Sequence, residues 1–193
     1  MFQNENIMGI VMCGGNSTRM GQDKGTLIKD GLTWAEIALQ KITLLNVSTK
    51  ISINPSQIQN YQNQFSSQNM IVDRIDIPGP LGGLLSIHQQ YPQHDLLILA
   101  CDMIDISQKS ISHLYNFCTE TGSEYDFIVY LNENQKPEPL LGWYSSDGLA
   151  KIYKYYIGNL LEKYSMKYVL DIGNTYYLPF PNTYSELKNY NTI

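Results

Sequence analysis

The sequence predicts a three-layer α/β fold in which helices cover both faces of a mostly parallel central sheet. Three observations carry that expectation. Through the first hundred residues, short apolar runs alternate with helical periodicity, as they do where strands are joined by crossover helices. The run from Leu96 to Ala100 is continuously apolar between Asp95 and Asp102, as a central strand buried on both faces requires. A glycine-rich loop leaves the first apolar run, where such sheets hold their ligands.

Ile7 to Cys13 reads as the first strand, and residues 12–25, MCGGNSTRMGQDKG, carry the loop that leaves it. Thr33 and Glu36 have capping-box spacing ahead of a helix whose apolar face is Trp34, Ile37, Ala38, Ile42 and Leu45. Lys50 to Ile53 reads as a second strand, ended by Asn54 and Pro55. A short polar helix follows, then a third strand from Met70 to Val72 that stops at Asp73. Prolines and glycines in residues 78–83 set a rigid loop, and a helical pattern runs from Leu81 to Gln90. Asp102 sits just past the central strand. Ligands in open parallel sheets bind beyond the carboxyl ends of the strands, so the loop after Cys13, Asn54, Asp73 and Asp102 are expected to converge.

The second half is less regular. It reads as a helix around Lys109 to Cys118, strands near Phe127 to Leu131 and Leu140 to Tyr144, and a helix from Asp147 to about Leu161, with no internal repeat, linker or low-complexity block. Seven tyrosines, Tyr153, Tyr155, Tyr156, Tyr164, Tyr168, Tyr176 and Tyr177, crowd the following stretch. Amphipathic packing with wet hydroxyls is the preferred reading over stacking on a flat heterocycle.

Composition narrows the function. The 193 residues, 22.0 kDa, suffice for one domain burying about 70% of the surface its unfolded chain would expose. Nowhere do about 18 apolar residues run together, and the start, MFQNENIMGI, lacks the charged and apolar regions of a signal peptide, so a cytoplasmic location and no membrane partner are expected. The net charge of −5 has the wrong sign for a general nucleic-acid binder. Cys13, Cys101 and Cys118 are scattered and odd in number, which suggests neither a disulfide framework nor a zinc site. His88, His94 and His113 are equally dispersed and read as surface or packing residues. Only two arginines, Arg19 and Arg74, stand against eleven lysines, and both fall in segments assigned to the site on other grounds.

The loop at residues 12–25 combines glycines, whose backbone N–H groups can cradle an anion, with the cations Arg19 and Lys24. Its spacing excludes two commoner phosphate loops. A Walker A loop needs Gly-Lys adjacent, but Gln22 and Asp23 separate Gly21 from Lys24. The dinucleotide fingerprint fails because Gly14 and Gly15 are contiguous and no glycine falls at the further offsets. What remains is GGxxxRMGxxK.

That string resembles the amino-terminal signature of the MobA-like nucleotidyltransferases, which join a nucleoside monophosphate from an NTP to a phosphorylated acceptor. The resemblance extends through the chain. GPLGG at Gly79 to Gly83 looks like the family's GPLAG loop, Cys101 and Asp102 like its metal-binding CD, and KPEPLLGWYS at Lys136 to Ser145 like its acceptor-side segment. Asn182, Thr183, Glu186 and Leu187 are similar to its closing NTPEEL pattern. Departures are Met103 and Ile104 for the family's TP after CD, Phe180 for an asparagine, and Tyr184 for a proline.

The resemblance implies a Rossmann-like nucleotidyltransferase fold over a single domain, 1–193, with a nucleotide-binding half at 1–105 and an acceptor-side half at 106–193. It implies nucleotide contacts from Met12, Cys13, Gly14, Gly15, Lys24, Asn54, Asp73, Gly79, Gly82 and Asp102, and catalytic roles for Lys24, Arg19 and Asp102. Mg²⁺ is the implied cofactor, held by Asp102 with Asn182 as a possible second ligand. Members with GG in the first loop and GPLAG in the second tend to use GTP, and the implied acceptor is molybdopterin in its molybdenum-loaded form, with transient contact to cofactor-synthesis proteins or molybdoenzyme targets. CTP as donor, a sugar or polyol phosphate as acceptor, and a non-catalytic nucleotide-binding homologue stand as alternatives. No catalytic histidine is needed, because a phosphate monoester is mostly dianionic at pH 7 and already nucleophilic.

Overall fold

The computed structural model describes residues 6–14, 23–121, 124–188 and 190. In chain order the elements are β1 (Ile7–Met12), a hairpin of β2 (Ile28–Lys29) and β3 (Leu32–Thr33), α1 (Trp34–Thr43), β4 (Ser48–Ile53), α2 (Ile58–Tyr61), β5 (Met70–Val72), α3 (Pro80–Gln90), β6 (Asp95–Ala100), α4 (Gln108–Thr121), β7 (Phe127–Leu131), β8 (Pro137–Tyr144), α5 (Ser146–Ile157), α6 (Met166–Ile172) and β9 (Thr175–Pro179). Seven strands form one sheet in the order β5-β4-β1-β6-β8-β7-β9. Only β8 runs against the rest, antiparallel to both β6 and β7.

Side chains alternate across the sheet and divide the core into two layers. Ile7 and Val11 of β1 with Leu97 and Leu99 of β6 face α1 and α4, meeting Ala35, Ala38, Ile42, Ile111 and Leu114. Met8, Ile10 and Met12 with Leu96 and Ile98 face α3, α5 and α6, meeting Leu81, Leu84, Leu149, Ile152 and Val169. Both faces of β1 and β6 are thus dry, which is why their sequences are continuously apolar rather than alternating. The predicted three-layer α/β class is the observed one.

Local expectations held where chemistry was explicit. Thr33 Oγ1 accepts from the Glu36 amide at 3.2 Å, and the Thr33 amide donates to Glu36 Oε2 at 2.7 Å, closing the capping box that starts α1. Its buried face is Trp34, Ala35, Ala38 and Ile42, so Ala35 occupies the deep position expected of Ile37. Strand β8 begins at Pro137, earlier than the apolar run at Leu140, because its first half pairs with β7 across a register shift at Val129/Tyr130. Helix α5 ends at Ile157, where Gly158 caps it. Helix α6 and edge strand β9 have no counterpart in the sequence reading. The first is seven residues long, and β9 is a part-exposed edge strand with little apolar alternation. Tyr176 of β9 stacks on Phe117 and tilts against Tyr125, so this tyrosine serves packing.

The carboxyl-terminal segment docks on the start of α4. Glu186 Oε2 accepts from the Ser107 amide at 3.0 Å and from Ser110 Oγ at 2.7 Å, while Leu187 and Phe180 are buried in the α1/α4 layer. Among the described residues no helix is long and apolar enough to cross a membrane.

Candidate active site

Strand order places the site. From β1 the chain moves outward to β4 and β5, then returns through α3 to β6 on the other side of β1. That reversal opens a crevice beyond the carboxyl ends of β1 and β6. Parallel register sets Met12 beside Ser52 and Ala100, and it continues past the strand ends: the Cys13 and Gly14 amides donate to the Ser52 carbonyl at 2.9 and 3.0 Å, and the Cys101 amide to the Met12 carbonyl at 3.1 Å. Lys24 and Asp102, 78 positions apart, meet here, with Lys24 Nζ 2.7 Å from Asp102 Oδ2. Their side chains are only 19% and 15% exposed. A cation and a carboxylate of this kind, half-withdrawn from water at a strand-end crevice, can exchange their mutual contact for phosphate oxygens and a metal ion.

The buried thiol of the adjacent Cys101 is held well above the ordinary thiol range by its hydrogen bond with Cys13 and by burial. It remains a neutral packing group, inert as a nucleophile.

A cavity of about 770 Å³ opens past the ends of β1, β4 and β5, lined by Gly14, Asn54, Asp73, Arg74 and the segment from Ile75 to Pro80. Its size suits a nucleoside. Asp73 accepts from Ser52 Oγ at 3.0 Å, and burial pushes its carboxyl up to about 6, partly offset by that bond. The carboxylate is wedged between two glycines. A Cβ on Gly14 would lie 2.9 Å from Asp73 Oδ2, and one on Gly83 would lie 3.0 Å from Asp73 Oδ1 and from Ser52 Oγ. Gly79 caps α3 at φ +82°, in the left-handed region where glycine is unstrained. The fully buried Ser86 hydroxyl accepts from the Arg74 and Ile75 amides at 2.9 and 3.0 Å and donates to the Gly82 carbonyl at 2.7 Å. That fastens the cavity wall to α3.

Of the expected site residues, Met12, Cys13, Gly14, Lys24, Asn54, Asp73, Gly79, Gly82 and Asp102 lie along this edge; Gly15 and Arg19 fall outside the described residues. Asn54 lines the cavity while its side chain caps the turn after β4, accepting from the Ser56 amide at 3.0 Å. The Asn182 amide donates to Ser110 Oγ at 2.7 Å and to Ser107 Oγ at 3.4 Å, which places it in the lock on α4. Another cavity, about 820 Å³, opens near the amino ends of β1 and β6 beside Asp95 and Asp126. It contains none of the expected residues.

Among the described residues no group of three or more His, Cys, Asp and Glu is gathered to hold a metal. A single strand-end carboxylate such as Asp102 is compatible with Mg²⁺, which takes one or two carboxylates and completes its shell with phosphate oxygens and water.

Sequence reasoning missed Asp23, Ser52, Gln57, Tyr61 and Ser86. Gln57 follows Asn54 at capping-box spacing, a signal present in the chain. Ser52 is a lone polar residue between Ile51 and Ile53. Nothing local to Ser86 or Tyr61 marks either as more than helix-face residues.

Lys24 and the strand-end carboxylate Asp102 meet at the switch point of a mostly parallel sheet, an arrangement shared with enzymes of the nucleotidyltransferase class. Residues 9–170 match the MobA-like NTP transferase domain, and the chain belongs to that family. Over 172 residues it is 31% identical to a probable molybdenum cofactor guanylyltransferase of Bacillus cereus, an alignment covering 83% of this chain and 82% of that one. It is 29% identical over 140 residues, 72% of its length, to a molybdenum cofactor biosynthesis bifunctional protein of Synechocystis, of which it spans 39%. The fold matches a crystal structure of molybdopterin-guanine dinucleotide biosynthesis protein A from Archaeoglobus fulgidus with a TM-score of 0.72 at 19% identity, covering 90% of this chain and 84% of that one. A 4-diphosphocytidyl-2C-methyl-D-erythritol synthase of Anaerococcus prevotii shares the fold with a TM-score of 0.65 at 10% identity, over 97% of this chain and 91% of the other.

Proposed function

We propose that this protein transfers GMP from GTP to the phosphate of molybdenum-loaded molybdopterin, forming the guanine dinucleotide cofactor and releasing pyrophosphate, with Mg²⁺. The observation that carries the reading is the 2.7 Å contact of Lys24 with Asp102, on the same strand-end edge of the sheet as a nucleoside-sized cavity lined by Gly14, Asn54 and Asp73. The Bacillus cereus relative, matched over more than four fifths of both chains, supports guanylyl transfer. So do the GG of the first loop and the GPLGG of the second.

In this reading the acceptor phosphate dianion attacks the α-phosphorus of GTP in line, the new P–O bond forms as the α–β bridge breaks, and pyrophosphate departs with the electron pair. The protein's part is positioning and charge stabilisation. Backbone of Met12 to Gly15 cradles the phosphates, Lys24 and Arg19 neutralise charge on the leaving group, and Asp73 accepts from a ribose hydroxyl. Asn54 and Gly79 border the base, and Gly82 keeps the cavity wall close to α3. Bound Mg²⁺, held by Asp102 with Asn182 as a candidate second ligand, would supply Lewis-acid charge at the phosphates. We assign 1–105 to the nucleotide and 106–193 to the acceptor within one domain, acting in the cytoplasm and passing its product to cofactor-synthesis proteins or molybdoenzymes.

Thermal-shift measurements with each of the four NTPs, with and without Mg²⁺, test the donor, because a ligand bound only to the folded state raises Tm by mass action. Selective Mg²⁺-dependent stabilisation by GTP is expected, followed by pyrophosphate release on adding loaded molybdopterin. Selective stabilisation by CTP, or release only with a sugar phosphate, would overturn the assignment.

A further inference from the structure

Beside the Lys24–Asp102 pair lies a buried polar cluster that the reaction itself does not use. Gln57 is 6% exposed, and its carboxamide is satisfied at both ends. Nε2 donates to the Cys13 carbonyl at 3.0 Å and to Asp23 Oδ2 at 2.7 Å, while Oε1 accepts from the Asn54 amide at 2.8 Å. The other Asp23 oxygen accepts from the Tyr61 hydroxyl and from the Gly25 amide, each at 3.0 Å. Asp23 caps the single 3-10 turn from Lys24 to Thr26. Three chain segments distant in sequence are thereby tied at one carboxamide: the end of β1, the end of β4 and the turn bearing Lys24.

Tyr61 is fully buried, and burial holds its hydroxyl far above the ordinary range, so it stays a donor. Gly25 is pressed onto it, since a Cβ there would fall 1.9 Å from the Tyr61 oxygen. Both neighbours of Lys24 are therefore anchored to the same tyrosine. A four-carbon lysine stem is flexible, and an anchored backbone on either side shortens the range its ammonium can sweep.

We propose that Gln57, acting with Tyr61 through Asp23, is a positioning residue for Lys24, setting where its ammonium meets the nucleotide triphosphate. The inference rests on the reading of Lys24 as a phosphate-binding group. It is independent of which base and which acceptor are used.

The test measures affinity for Mg²⁺-nucleotide by titration in wild type, Gln57→Ala, Tyr61→Phe, Lys24→Ala and the double variants, with unfolding curves confirming that each is folded. Tyr61→Phe removes one hydroxyl and keeps the ring packed on Phe65, which guards against Gln57→Ala failing to fold. Triphosphate affinity should fall about tenfold in Gln57→Ala and a few-fold in Tyr61→Phe, while affinity for the nucleoside monophosphate stays within about twofold. In the Lys24→Ala background either change should cost almost nothing more, because residues acting through one group are non-additive. Equal losses for mono- and triphosphate, or full additivity with Lys24→Ala, would overturn the inference and reduce the cluster to a structural brace. Wild-type preference for CTP would overturn the guanine assignment and leave the comparison intact. No wild-type affinity for any NTP would overturn both.

Discussion

Asp73→Asn isolates the cost of holding a carboxylate under the nucleotide cavity. In the folded protein this carboxyl titrates near 6 against 3.8 for the ordinary group, chiefly through burial. A rise of that size corresponds to about 3 kcal/mol of disfavoured ionisation, and partial solvent contact leaves about 1–2 kcal/mol as the working figure. The sign follows from proton uptake on folding. Below pH 3.8 Asp73 is neutral in both states and costs nothing; as pH rises through the window to about 6 the unfolded chain ionises first and stability is lost. Asparagine has the same shape, keeps an oxygen to accept from Ser52 Oγ, and never ionises. Without nucleotide, Asp73→Asn should therefore match wild type near pH 4 and exceed it by about 1–2 kcal/mol at pH 7.5, about 3–6 °C in Tm for a chain of this length. Urea unfolding of both proteins at the two pH values measures it. A gain equal at both values would indicate packing rather than charge, and no gain at pH 7.5 would refute the reasoning.

Three further outcomes follow from the site. Lys24→Ala should lower pyrophosphate release by about a hundredfold or more, the scale of losing one preorganised charge donor; near-wild-type turnover at saturating nucleotide would remove Lys24 from the mechanism. Asp102→Asn should bind nucleotide with a Tm shift that no longer grows on adding Mg²⁺, and a persisting Mg²⁺ increment would place the metal on other groups. In Gly82→Ala the new Cβ would lie 2.8 Å from the Ile77 carbonyl oxygen and 3.0 Å from that of Ile75. Backbone there yields only by moving the cavity wall, so a destabilisation of about 1–3 kcal/mol is expected by urea unfolding, and unchanged stability would show that the wall gives freely.

Much of the fold was legible because its strongest elements announce themselves locally. Leu96 to Ala100 had to be a doubly buried strand, and Thr33 with Glu36 had to start a helix, since both signals depend only on neighbouring residues. The resemblance carried by GGxxxRMGxxK, GPLGG and Asp102 pointed to the family, and strand-end logic gathered Asn54, Asp73 and Asp102 on one edge. Strand β9 was hidden because an edge strand needs apolar character on little of its surface. Helix α6 was hidden because seven residues give barely two turns of periodicity.

Residue types and their order pointed to the class of chemistry and put the candidate phosphate- and metal-binding groups at strand ends. Their partnerships came from folding. The contact of Lys24 with Asp102, the raised pKa of Asp73 between Gly14 and Gly83, and the convergence of Cys13 and Asp23 on Gln57 all depend on groups far apart in the chain. Distances and burial between such groups are set by strand order and register, which no local pattern of residues encodes.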